Sequence, residues 1–177
     1  MEIKAQGFTL RGWRTGDVAA LQRNANNVKI YNCLLDIFPH PYTMENAVDW
    51  VDMMITQDPL LVFVVDIDDE LAGVVGITMR NDVYRKAPLI GYWLGEDYWG
   101  RGIMTQAVKL VVDYAFANLD ITRLQAGIFS TNQASMRVLE KAGFVKEGIA
   151  CSAIIKNGTV LDEHCYGLVR VSEPRFT

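Results

Sequence analysis

Apolar positions along this chain repeat either every second residue or every third and fourth, and the changes of period mark the predicted elements. Residues 8–13 alternate and read as a first strand, with Phe8 and Leu10 on one face and Arg11 and Trp13 on the other. Thr15-Gly16-Asp17 opens a helical stretch in which Val18, Leu21 and Ala25 share a face, fading through Asn24, Asn26 and Asn27. Over 31–42 the period is lost. The two prolines in Phe38-Pro39-His40-Pro41-Tyr42 exclude regular helix or a central strand, so a shaped loop is predicted. Thr43 caps the next helix, where Met44, Ala47, Val48, Val51, Met54 and Ile55 recur as a core face until Asp58-Pro59 stops it. Residues 60–66 and 71–79 are rich in Val and Ile and form a hairpin across the acidic turn Asp68-Asp69-Glu70, followed by a polar loop over 81–86.

Pro88 leads into the apolar strand Leu89-Ile90-Gly91-Tyr92-Trp93-Leu94. An irregular turn over 95–99 follows, then the loop Gly100-Arg101-Gly102-Ile103-Met104 and a long helix to about Asn118, with Val108, Val111, Val112 and Ala115 toward the sheet. Residues 123–129 read as another strand. Asn132 then caps a short helix whose Met136, Leu139 and Ala142 face a core, and Gly143 stands where a left-handed C-terminal residue belongs. Beyond Phe144 the chain reads as a long β-hairpin turning at Asn157-Gly158 and returning through His164, Tyr166, Leu168 and Val169, with 172–177 as a loose tail. No linker or repeat divides it, so one domain over 1–177 is expected, its core spanning about 8–169. The element order predicts a mixed α/β fold with helices on both faces of the sheet.

The strand, glycine loop and helix N-terminus make an anion site, because unpaired backbone N–H groups and the helix dipole converge there. Two nucleotide readings fail. No Lys-Ser or Lys-Thr pair exists for a Walker A loop, and Thr105 stands where a dinucleotide fingerprint needs its third glycine. Two glycines alone also suit a plain tight turn. Trp99-Gly100-Arg101-Gly102 together with Asn132-x-x-Ser135 and Leu139-Glu140-Lys141-Ala142-Gly143-Phe144 resembles the GCN5-related N-acetyltransferase (GNAT) superfamily, in particular its ribosomal-protein alanine N-acetyltransferase branch.

Composition narrows the partners. Half the residues are apolar and 21% charged, which favours a globular chain over disorder, and the net charge of −4 argues against nucleic acid as the main partner. No apolar run reaches the ~18 residues needed to span a bilayer. Met1-Glu2-Ile3-Lys4 lacks a hydrophobic signal region, so the cytoplasm is the expected compartment. Cys33, Cys151 and Cys165 have no CxxC spacing, and His40 and His164 cannot make a metal site by themselves, so no metal is expected.

The resemblance implies a central, mostly antiparallel sheet of about seven strands in which the strand at Leu89 and the strand at Arg123 splay apart to admit acetyl-CoA. It implies that Gly100, Arg101, Gly102, Ile103, Met104 and Thr105 cradle the pyrophosphate, with Trp99 and Met104 departing from the usual motif. Pantetheine would lie along Tyr92, Trp93 and Leu94 as an added strand, the Leu94 N–H polarising the thioester and Asn132 reaching the arm from the other side. Many members place a tyrosine acid seven residues after the asparagine, where this chain has Leu139; the ribosomal-protein branch implies Ser135 instead, as proton donor or as orienter of the CoA sulfur, against an ordinary first-turn serine. The family's base carboxylates would fall at Gly127 and near Ala153 and are absent. Glu96, His40, Tyr42 or a water chain remain as bases, and the acceptor is expected between the loop carrying Tyr31, His40 and Tyr42 and the C-terminal hairpin. The implied activity is acetyl-CoA-dependent acetylation of a primary amine, on a protein α-amino group or a small molecule, by direct transfer in a ternary complex. The alternative is a non-catalytic acyl-CoA sensor on the same fold. The terminal hairpin also offers an edge for a homodimer.

Overall fold

A computed structural model describes residues 1–170. The tail predicted over 172–177 lies outside the described residues. Eight strands form one sheet in the order β1-β2-β3-β4-β5-β6-β8-β7: β1 (Glu2–Ala5), β2 (Phe8–Arg11), β3 (Val62–Ile67), β4 (Glu70–Thr78), β5 (Leu89–Leu94), β6 (Arg123–Phe129), β7 (Val145–Lys156) and β8 (Thr159–Val169). Five helices, α1 (Val18–Ala25), α2 (Val28–Tyr31), α3 (Met44–Ile55), α4 (Ile103–Asn118) and α5 (Gln133–Lys141), join them. Every strand pair is antiparallel except β5–β6.

The sheet is sandwiched, and β3 shows how. Phe63 and Val65 face one core with Val75, Val108, Val111, Leu124 and Leu139, while Val64 between them faces a second with Trp13, Leu21, Tyr42, Val51 and Leu71. Consecutive side chains of a strand point to opposite faces, so an unbroken Val/Ile run is what burial on both sides requires. The capping signals act locally as expected. Thr43 accepts from the Asn46 N–H, Asn132 accepts from the Ser135 N–H, and Asn157 and Gly158 are both left-handed at the hairpin tip.

Three features differ from the sequence expectation. The sheet has eight strands, not about seven: β1 pairs with β2 at the edge, and its four residues, with only Ile3 and Ala5 apolar, are too short a run to stand out. A short helix, α2, capped by Asn27, occupies the stretch where helical pattern was fading into the loop. On α3 only Ala47, Val51 and Met54 are buried, while Met44, Val48 and Ile55 are exposed, because α3 packs mainly against α1 and the turn before it along a narrow seam.

Beneath α1 lies a buried charge cluster. Arg11, only 2% exposed, donates to Asp66 and, through both Nη atoms, to Asp17 at 2.7 and 2.8 Å. Burial works against the guanidinium charge, but the hydrogen bonds and charges of the two carboxylates outweigh it and hold its pKa above the ordinary value. Removing the cation leaves two buried carboxylates uncompensated. Arg11→Ala is therefore expected to lower unfolding stability by about 3–5 kcal/mol, measured by urea denaturation.

Candidate active site

The cleft forms where the sheet is interrupted. β5 and β6 are bridged in parallel at Leu89 and Gln125 alone, with the Gln125 N–H donating to the Pro88 carbonyl at 3.0 Å, and beyond that point they diverge. The register of β5 on β4 and the 2.8 Å bond from the Gly95 N–H to the Ala72 carbonyl commit Gly91, Trp93 and Gly95 to β4. By the antiparallel alternation, the N–H and C=O groups of Tyr92 and Leu94 turn toward the gap. The Leu94 carbonyl is taken by the Trp99 indole N–H at 2.6 Å. The cleft has a volume of about 590 Å³ and runs between β5 on one wall and β6 and α5 on the other.

At one end of the cleft is the glycine loop. Gly102 has φ +76 and ψ 0 and precedes the first residue of α4; a Cβ there would meet nothing within 4 Å. The glycine is thus needed for its backbone conformation, and the space beside it is open to a ligand. The first intrahelical bond runs from the Gln106 N–H to the Gly102 carbonyl at 3.2 Å, so the N–H groups of Ile103, Met104 and Thr105 have no helical acceptor. Gly100, Ile103, Met104 and Thr105 all line the cleft with Gly102. Arg101 does not. Its guanidinium folds back to donate to the Asp97 carbonyl at 2.7 Å and lies 5.8 Å from the Tyr98 ring centre. The cations that do line the cleft are Lys29, Arg137 and Lys141. Sequence reasoning missed them, although Arg137 and Lys141 stand four apart on α5 and so share a face.

Ser135 sits at the centre of the opposite wall, 9% exposed. Asn132 holds its backbone at 3.1 Å, and its Oγ lies 2.8 Å from the Tyr92 hydroxyl, which also reaches the Ser135 carbonyl at 3.2 Å. Burial pushes the Tyr92 phenol well above its ordinary pKa, against the opposing hydrogen bond with Ser135, so it stays protonated. Leu139, at the position expected for a tyrosine acid, is fully buried in the core. A phenol does reach this wall, but from β5 and not from α5.

Of the residues expected at the acceptor, Tyr31, His40, Tyr42 and Glu96, none lines this cleft. Tyr31 and His40 stack on each other with ring centres 5.2 Å apart, and the Lys156 ammonium lies 3.6 Å over the Tyr31 ring while bonding Asp36 at 2.7 Å. Neither ring lines the cleft, because each finds an aromatic or cationic partner first. Tyr42 is 4% exposed and packs against Phe38 in the second core. Glu96 is engaged by Lys29 and by Asn27, at 2.8 Å, and the Lys29 hydrogen bond holds its carboxyl below the ordinary range. From the same region Ile30, Cys33 and Leu34, on α2 and the turn after it, line the cleft.

A family model described as "Acetyltransferase (GNAT) domain" matches residues 8–145. The chain is 48% identical over 97 residues to the "Probable N-acetyltransferase YjcK" of Bacillus subtilis; that stretch covers 55% of this chain, which thus spans about half (53%) of the relative's length. To the spermidine N(1)-acetyltransferase of Escherichia coli K12 it is 28% identical over 155 residues, 87% of this chain and 81% of the other. Among solved structures, the ribosomal L7/L12 alpha-N-protein acetyltransferase RimL in complex with coenzyme A superposes with a TM-score of 0.83 at 25% identity, over 96% of this chain and 98% of that one.

The burial of Tyr42 carries a pH signature. Its phenol is pushed from 10.0 up to about 12 by desolvation, so its contribution to stability is intact below pH 10 and is lost as pH rises from there toward 12. Relative to wild type, Tyr42→Phe is expected to gain about 2 kcal/mol between pH 9 and pH 11.5, read from denaturant unfolding at the two pH values.

Proposed function

Because the chain belongs to the GNAT acetyltransferase family, we propose that it transfers the acetyl group of acetyl-CoA to a primary amine by direct transfer in a ternary complex. The observation that carries this reading is the break between β5 and β6, which turns the Tyr92 and Leu94 backbone into a cleft ending at the glycine loop.

The residues present fit the donor. The open space beside Gly102 and the free N–H groups of Ile103, Met104 and Thr105 suit a pyrophosphate, with Arg137 and Lys141 adding positive charge along the cleft. Tyr92 and Leu94 offer strand-like hydrogen bonds to an extended pantetheine arm. Leu94, its carbonyl anchored by Trp99, presents its N–H to the oxygen on which charge develops as the thioester is attacked. Ser135, coupled to Tyr92, donates a proton to the departing sulfur, which with a thiol pKa near ~8.5 needs only modest help. That hydroxyl pair in the cleft favours catalysis over mere acyl-CoA sensing.

The acceptor class we propose is a primary amine on a protein N-terminus or a small cation, the two chemistries named among the relatives. The three free cysteines suit a reducing compartment, and we place the enzyme in the cytoplasm. Two copies are proposed to pair along the exposed edge of β7.

Thermal unfolding with acetyl-CoA, CoA, ATP and NADH tests the donor. At about 100 times its dissociation constant a ligand stabilises the fold by about 2.7 kcal/mol, a shift of several degrees. Acetyl-CoA and CoA are expected to give this shift, and Gly102→Trp to remove it; a shift with ATP or NADH alone would overturn the reading. Ser135→Ala should keep the CoA shift and lower thiol release with amines by at least ~10-fold.

A further inference from the structure

The sequence resemblance implies a base carboxylate at Gly127 or near Ala153, and this chain has none at either position. The wall at Gly127 is nevertheless not empty. β8 pairs with β6 so that Glu163 stands opposite Phe129, on the same face as Gly127. Its carboxylate lies across the glycine: a Cβ built at Gly127 would be 1.9 Å from Oε1 and 2.6 Å from Cδ of Glu163. A side chain at 127 and the present position of this carboxylate exclude one another, so the glycine is what lets Glu163 occupy the wall.

The surroundings leave this carboxylate available. Among the described residues Glu163 has no ion pair and no side-chain hydrogen bond, although it is half-buried. It borders a side cavity of about 150 Å³ with Leu34, Asp36, Phe129 and Lys156, and Leu34 lines both that cavity and the main cleft. Glu163 therefore stands where the two meet. The other charged groups there, Asp36 and Lys156, neutralise each other at 2.7 Å, and burial keeps the nearby Cys33 thiol protonated by raising its pKa.

Resting on the transferase reading above, we propose that Glu163 is the catalytic base, supplied from β8 in place of the carboxylate missing at Gly127, and that the side cavity admits the acceptor amine. A primary amine arrives as an ammonium ion with pKa near ~10.4. Glu163 pairs with it and takes one proton, which passes on to solvent. The neutral nitrogen then forms the C–N bond as the C–S bond breaks, and the second proton it loses balances the one that Ser135 and Tyr92 deliver to the sulfur. The products are the amide, free CoA thiol and one released proton.

The test compares wild type with Glu163→Gln, using acetyl-CoA with spermidine and with an alanyl peptide, and reads thiol release from pH 6.5 to 10. The CoA-induced thermal shift should be unchanged in the variant. Its kcat/KM at pH 7 should fall by about 10²-fold or more, and the deficit should shrink as pH approaches the pKa of the amine, which then supplies its own neutral form. Gly127→Glu combined with Glu163→Gly returns a carboxylate to the same space from β6 and should recover at least tenfold. A variant within twofold of wild type at pH 7, or a deficit that stays constant with pH, overturns the assignment. If wild type binds CoA but releases no thiol with either amine, the transferase reading itself falls, and this assignment with it.

Discussion

Between β5 and β6 a continuous ladder is interrupted after one bridge, and the strands on either side have to be held apart as firmly as other strands are held together. Unpaired backbone groups facing a gap cost free energy unless water or a ligand satisfies them. The gap persists because both halves are anchored elsewhere. Below the bridge, the Lys86 carbonyl accepts from the Thr122 N–H at 2.9 Å and Arg80 reaches Gln125 at 2.8 Å. Under it, α4 crosses from one half to the other and buries Val108, Val111 and Ala115 in the common core. Above it, Tyr92 on β5 is tied to Ser135 on α5. The two halves are thus pinned at three levels, and the space between them has a defined width without a ladder to fill it.

The two sides of that space are made of different material. The side proposed for the donor is mostly backbone: the Tyr92 and Leu94 edge, the left-handed Gly102 and the first turn of α4. Backbone donors are indifferent to most side-chain changes, which suits a ligand common to many relatives. The side cavity proposed for the acceptor is lined by side chains from remote segments, with Leu34 after α2, Phe129 on β6 and Lys156 and Glu163 on the terminal hairpin. Changes there alter shape and charge without disturbing the donor groove. A single fold can in this way keep one donor and serve amines as different as a protein N-terminus and a polyamine.

The same division explains what was legible from the amino-acid sequence. Gly102, Asn132, Gly143 and Asn157-Gly158 act through conformations set within a few residues, so strand, loop and cap were all readable. Partners distant in the chain were not. Glu96 looked free at a strand end, but its cation Lys29 lies 67 residues away. Arg101 is the exception, since the Asp97 carbonyl that claims it is a near neighbour in the chain. Tyr92 was read for its backbone, and only the fold brings its hydroxyl to Ser135, 43 residues on. Glu163 gave no local signal, since what positions it is a missing side chain on another strand.

The placement of the four tryptophans has a further consequence. Trp13 and Trp50 pack edge to face at 6.3 Å on the α3 side of the sheet, whereas Trp93 and Trp99 line the cleft, Trp99 with its indole on the Leu94 carbonyl. Half of the chain's indole chromophores therefore border the donor groove and half lie apart from it. Their emission divides into a reporter of groove occupancy and an internal standard, so that filling of the groove can be followed optically in the unlabelled protein.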